Sequence, residues 1–70
     1  MSAFEQFTTL GLSRREAEVL TLAERGLTSK QIGFVLSVSS RTVDKHLQHV
    51  YERFGCHSRT AALAYARRPN

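Results

Sequence analysis

Thr28-Ser29-Lys30-Gln31-Ile32-Gly33-Phe34-Val35-Leu36-Ser37-Val38-Ser39-Ser40-Arg41-Thr42-Val43-Asp44-Lys45-His46-Leu47 is the stretch on which the fold turns. Its first four residues have the spacing of a capping box, in which the Thr28 hydroxyl bonds forward and Gln31 reaches back. They open a short helix of about 29–36, with Ile32 and Leu36 one turn apart on an inward face. Ser39 is the N-cap of a longer helix of about 40–54, and Gly55 is its stop. Only Ser37-Val38-Ser39 joins the two helices, so they must cross sharply. Val38 is the one apolar residue of that turn and is placed to plug the gap between them. Gly33 costs about 1 kcal/mol against alanine inside a helix, and close approach of the next helix would explain it. Two helices joined in this way form a helix-turn-helix.

The longer helix has two contrasting faces. Val43, Leu47, Val50 and Phe54 make an apolar stripe. Arg41, Lys45, Gln48 and Glu52 lie opposite, flanked by Asp44 and His49. Long polar side chains on an outward face are what a groove-reading helix requires, because in a helix-turn-helix the second helix enters the major groove with its N-terminal end. His46, at the edge of the stripe, reads better as a structural residue than as a ligand.

Outward from this pair, two more helices complete an all-α, four-helix reading. Ser13-Arg14-Arg15-Glu16 is another capping box, opening a helix of about 13–25 in which Glu16, Val19, Leu20 and Ala23 line one face. Gly26 is its left-handed cap, with Leu27 packing back on the helix end. Ser58 caps a last helix of about 59–68, where Ala62, Leu63 and Ala66 share a core-facing arc. Ala61, Ala64 and Tyr65 form a second arc of small apolar surface. Residues 1–10 read as an N-terminal extension: Phe4, Phe7 and Leu10 have helical spacing but no clear start signal.

Length and composition set the bounds. A chain of 70 residues has room for one small core and buries about 60% of its unfolded surface. A single cysteine, Cys56, rules out an intrachain disulfide, and its neighbour His57 is too close for zinc-ligand spacing. Lys and Arg number 10 against 6 Asp and Glu, for a net charge of +4, which points toward a polyanionic partner, with ordinary solubility charge as the equal alternative on charge alone. No apolar run approaches the ~18 residues of a membrane span and no signal peptide is visible, so the expected compartment is the cytoplasm.

In order along the chain, Leu12-Ser13-Arg14-Arg15-Glu16, Glu18-Val19-Leu20 and Gly26-Leu27-Thr28-Ser29-Lys30-Gln31-Ile32 resemble the LuxR-type (GerE-like) helix-turn-helix domain. So do Val38-Ser39-Ser40-Arg41-Thr42-Val43-Asp44-Lys45-His46-Leu47, Phe54-Gly55 and Ser58-Arg59-Thr60-Ala61-Ala62. The resemblance covers roughly residues 11–66 and places the domain at 11–70. It implies a four-helix DNA-binding domain, usually C-terminal to a sensor or phosphoacceptor domain in a transcription regulator. With about ten residues ahead of the match, the chain is either a single-domain regulator or a piece of a longer one. The resemblance also implies base-edge contacts from Asp44, Lys45 and Gln48, and the two-faced helix agrees. Lys45 can donate to guanine O6 and N7, Gln48 can read adenine, and Asp44 can accept from cytosine N4. Asp44 departs from the family, which often has a basic residue there. It either gains base selectivity or pairs with Arg41 or Lys45 on the helix surface.

Phosphate contacts are expected from Lys30 and from Ser40, Arg41 and Thr42 at the start of the longer helix, with Arg59 and His49 adding others. Each alone could equally be a solvated side chain; their clustering at one end of one helix pair favours the phosphate reading. By resemblance Glu16 belongs to a buried ion pair, with Arg53 as candidate partner. The arc of Ala61, Ala64 and Tyr65 predicts a two-fold dimer that forms weakly alone and fully on DNA; the alternative is that the alanines serve only helix formation. No cofactor or metal site is expected. Catalysis is disfavoured: Cys56, His57 and Ser58 are consecutive and cannot form a triad by themselves. Two competing readings remain. One uses the same fold for protein contact, favoured by Asp44 and the adjacent apolar residues Phe34 and Val35. The other is a region-4-like piece of a sigma factor.

Overall fold

Each helix of the protein starts on a serine or threonine hydroxyl. A computed structural model describes residues 2–67, among which five helices follow one another: α1 (Ala3–Thr9), α2 (Arg14–Glu24), α3 (Ser29–Leu36), α4 (Ser40–Phe54) and α5 (Arg59–Ala66). Ser13 Oγ accepts the Glu16 amide at 3.1 Å while the Glu16 carboxylate accepts the Ser13 amide at 2.9 Å. Thr28 and Gln31 exchange the same pair of bonds at 3.2 and 2.8 Å. Ser39 and Ser58 cap α4 and α5 through the amides of Thr42 and Ala61, each at 3.1 Å. These bonds satisfy amides that a helix leaves without internal partners. At the other ends, Gly26 (φ +89°) and Gly55 (φ +68°) turn left-handed after α2 and α4, a conformation that glycine adopts without a Cβ penalty.

The core is built where the amphipathic faces meet. Val19, Leu20 and Ala23 of α2, Ile32 of α3, Val43, Leu47 and Val50 of α4, and Ala62 of α5 are all buried. α2 packs against each of the other four helices, and α3 and α4 pack most extensively on one another. The expected four-helix body is present, with α5 ending at Ala66; Arg68, the expected end of that helix, lies outside the described residues.

The stretch read as an extension is a helix of this body. Ser2 and Glu5 form a capping box like those above. Phe7 of α1 is only 1% exposed and belongs to the core. Gln6 Nε2 donates to the Ala66 carbonyl at 2.8 Å, so the first helix is tied to the end of the last.

Gly33 has the role expected of it, with a refinement. The Val38 amide donates to the Gly33 carbonyl at 2.9 Å. A Cβ on Gly33 would lie 2.6 Å from the Val38 carbonyl oxygen and 3.3 Å from Ser40 N. The close approach is therefore to the backbone of the turn and to the first residue of α4. Val38 packs half-buried against the core. Ser37 ends α3 in the left-handed region at φ 60°.

Candidate nucleic-acid interface

Burial of Val43, Leu47, Val50 and Phe54 fixes the rotation of α4 and leaves its other face to solvent. Ser40, Arg41, Asp44, Lys45, Gln48 and His49 are all exposed, and Thr42 is half-buried. Thr42 is drawn into the cap, its Oγ1 lying 3.0 Å from Ser39 Oγ. Lys30 is exposed in the first turn of α3, which packs closely on α4. Among the described residues no ion pair includes Lys30, Arg41 or Lys45; the acids paired are Glu16, Glu18 and Glu24. Free cations on a helix pair, next to two helix N-termini, form a surface suited to a polyanion.

Several expectations are corrected by partners far away in sequence. Asp44 is paired with neither Arg41 nor Lys45: its Oδ1 accepts a hydrogen bond from the Ser29 hydroxyl on α3. Glu16 does not pair with Arg53. The nearest basic atom to its carboxylate is His49 Nδ1, at 3.8 Å, and the Glu16 side chain is 13% exposed. Arg53 borders an open depression together with Glu16 and His49, with its guanidinium alongside Gly11. Arg59 is half-buried and donates an N–H to the Leu27 carbonyl, bracing α5 against the connection between α2 and α3. One of its donors is thus committed inside the protein before any phosphate arrives. Ser29 was not singled out from the sequence, and no local signal could have found it, because its partner lies 15 residues on.

On α5, Ala61 and Ala64 are exposed as expected. Tyr65 is 40% exposed because its ring stacks on Phe54, with centroids 4.5 Å apart. With Cys56 these three residues line a shallow depression. Phe34 and Val35 stand well out from α3, at 89% and 56% exposed. Among the described residues no cluster of His, Cys, Asp and Glu could hold a metal ion, and no helix is long and apolar enough to cross a membrane.

Two crossed helices on a three-residue turn, the second with a polar and cationic outer face, define a helix-turn-helix DNA-binding domain. Residues 10–66 match the family of bacterial regulatory proteins described as the luxR family. The chain belongs to that family. It is 44% identical over 55 residues to the transcriptional regulatory protein YdfI of Bacillus subtilis, covering 79% of this chain and 26% of that protein. Identity to the transcriptional regulatory protein LiaR of the same organism is 37% over 57 residues, covering 81% and 27%. For the quorum-sensing regulator RhlR of Pseudomonas aeruginosa it is 38% over 55 residues, covering 79% and 23%. The chain thus spans about a quarter of the length of the curated relatives it matches. No solved structure matches it significantly.

Proposed function

We propose that this domain binds double-stranded DNA sequence-specifically by inserting α4 in the major groove. It would do so as the output domain of a bacterial transcription regulator, in the cytoplasm and without catalysis. The observation that carries this reading is the exposed face of α4, whose cations pair with no acid among the described residues. Lys45 and Gln48 reach base edges, Lys45 as donor to guanine and Gln48 to adenine, and Asp44 is the third base-facing group. Lys30, Ser40, Arg41, Thr42 and His49 contact phosphates, and the guanidinium donors of Arg59 not used by Leu27 add another contact. A second protomer docks through Ala61, Ala64 and Tyr65, placing two copies of α4 about one DNA turn apart on an inverted repeat. The relatives named as regulators are about three times as long, which supports a sensor or receiver domain acting with this one.

Selection from random duplex DNA, followed by mobility shifts at two salt concentrations, tests the reading. The expected result is an enriched site and an affinity that falls steeply with salt, as counterion release demands. The exposure of Phe34 and Val35 favours a second reading, in which the fold serves protein contact. Enrichment of no sequence, with binding indifferent to salt, would favour that reading.

A further inference from the structure

Between Glu24 and Glu52 the chain carries a single acid, Asp44, and it stands exposed on the face of α4 proposed to enter the groove. An acid among Arg41, Lys45 and Lys30 would ordinarily pair with one of them. Arg41 lies three residues before it on the same helix, a spacing at which opposite charges meet. Instead the Ser29 hydroxyl of α3 takes its Oδ1. The tie has two effects. It satisfies part of the carboxylate without using a cation, so Lys30, Arg41 and Lys45 stay available. It also holds the carboxylate in one orientation, with one oxygen occupied and the other free.

We infer that Ser29 is a positioning residue for base selection: through Asp44, α3 sets which base edge α4 accepts. The inference rests on the reading that α4 enters the major groove. A carboxylate has acceptors only. It is matched by the exocyclic amino group of cytosine or adenine and repelled by guanine O6, thymine O4 and phosphate oxygens. A carboxylate free to swing could avoid a mismatched edge by turning to Arg41 or Lys45. One held by Ser29 stays to oppose it, which makes rejection part of the recognition.

The test compares the parent with Asp44→Asn, Ser29→Ala and Ser29→Thr by mobility shift, using the selected duplex, a panel with each base pair substituted, and random duplex. Asp44→Asn is expected to lose about tenfold of discrimination at one base pair and to gain affinity for random duplex, since an anion is removed. Ser29→Ala is expected to lose several-fold of discrimination at that same base pair. Its net charge is unchanged, so its affinity for random duplex and its salt dependence stay at parental values. Ser29→Thr retains the hydroxyl and restores the preference. Thermal melts of all variants separate loss of fold from loss of selection. If Ser29→Ala keeps the parental base profile, or changes it at a position that Asp44→Asn does not affect, the inference is overturned. A parent that selects no site overturns the functional reading itself, so the two failures are distinguishable.

Discussion

Replacing Gly33 with alanine separates local preference from packing. In a helix interior the change ordinarily stabilises by about 1 kcal/mol. Here the new methyl would meet the Val38 carbonyl oxygen at 2.6 Å, and backbone cannot step aside as a flexible side chain can. Gly33→Ala is therefore expected to destabilise the domain by about 1–3 kcal/mol; a melting temperature above the parent's would refute this. At the proposed interface, Lys45→Ala is expected to cost about 1–3 kcal/mol of specific binding and to relax preference at one base pair. Equal affinity of variant and parent for the selected site would contradict the assignment. Lys30→Ala, in contrast, is expected to weaken binding to all sequences alike and to flatten the salt slope by about one unit. A loss confined to some sequences would show that Lys30 touches a base. The exposed positions of these side chains were legible in the sequence because they follow from helical periodicity. The partners of Asp44 and Arg59 were not, since Ser29 and Leu27 lie 15 and 32 residues away and only the packed fold brings them near.

Four of the five helices announce themselves in the sequence because their ends are chemically marked. Ser13, Thr28, Ser39 and Ser58 cap the starts, and Gly26 and Gly55 mark the ends of the two longest helices, so α3 and α4 fall where the spacing puts them. α1 carries the same signal in Ser2 and Glu5, yet it begins at the edge of the chain and runs for seven residues. A helix of that length has little stability of its own; it exists because Phe7 is buried against the rest, a fact periodicity alone does not contain. The matched family residues begin at position 10, so α1 lies outside the shared pattern as well. Phe7→Ala is expected to destabilise the domain by about 3–5 kcal/mol, a large share of the ~5–15 kcal/mol of a typical fold. Denaturant unfolding measures this directly, and a midpoint equal to the parent's would mean that α1 is only an appendage.

For the whole molecule, the consequential question is how two copies meet on DNA. The proposed dimer face combines the exposed alanines of α5 with a tyrosine already anchored by its stack on Phe54, so little freedom of that ring remains to be lost on association. Ala64→Glu is expected to abolish cooperative binding to a full inverted repeat while leaving half-site affinity within about twofold, since the change is on α5, away from the groove-facing side of α4. Retained cooperativity would remove α5 from the interface. The bond from Gln6 to the Ala66 carbonyl has a further consequence. Ser2 lies one helical turn before Gln6, about 6 Å along the axis, so the beginning and end of the domain come together although nearly the whole chain separates them. In topological terms the five helices form a closed circuit. A circularly permuted gene for the domain, joining the end of α5 to the start of α1 and reopened at the exposed His57 between α4 and α5, would leave α3, its turn and α4 continuous. The order in which the ribosome makes these helices is then separable from the shape they take.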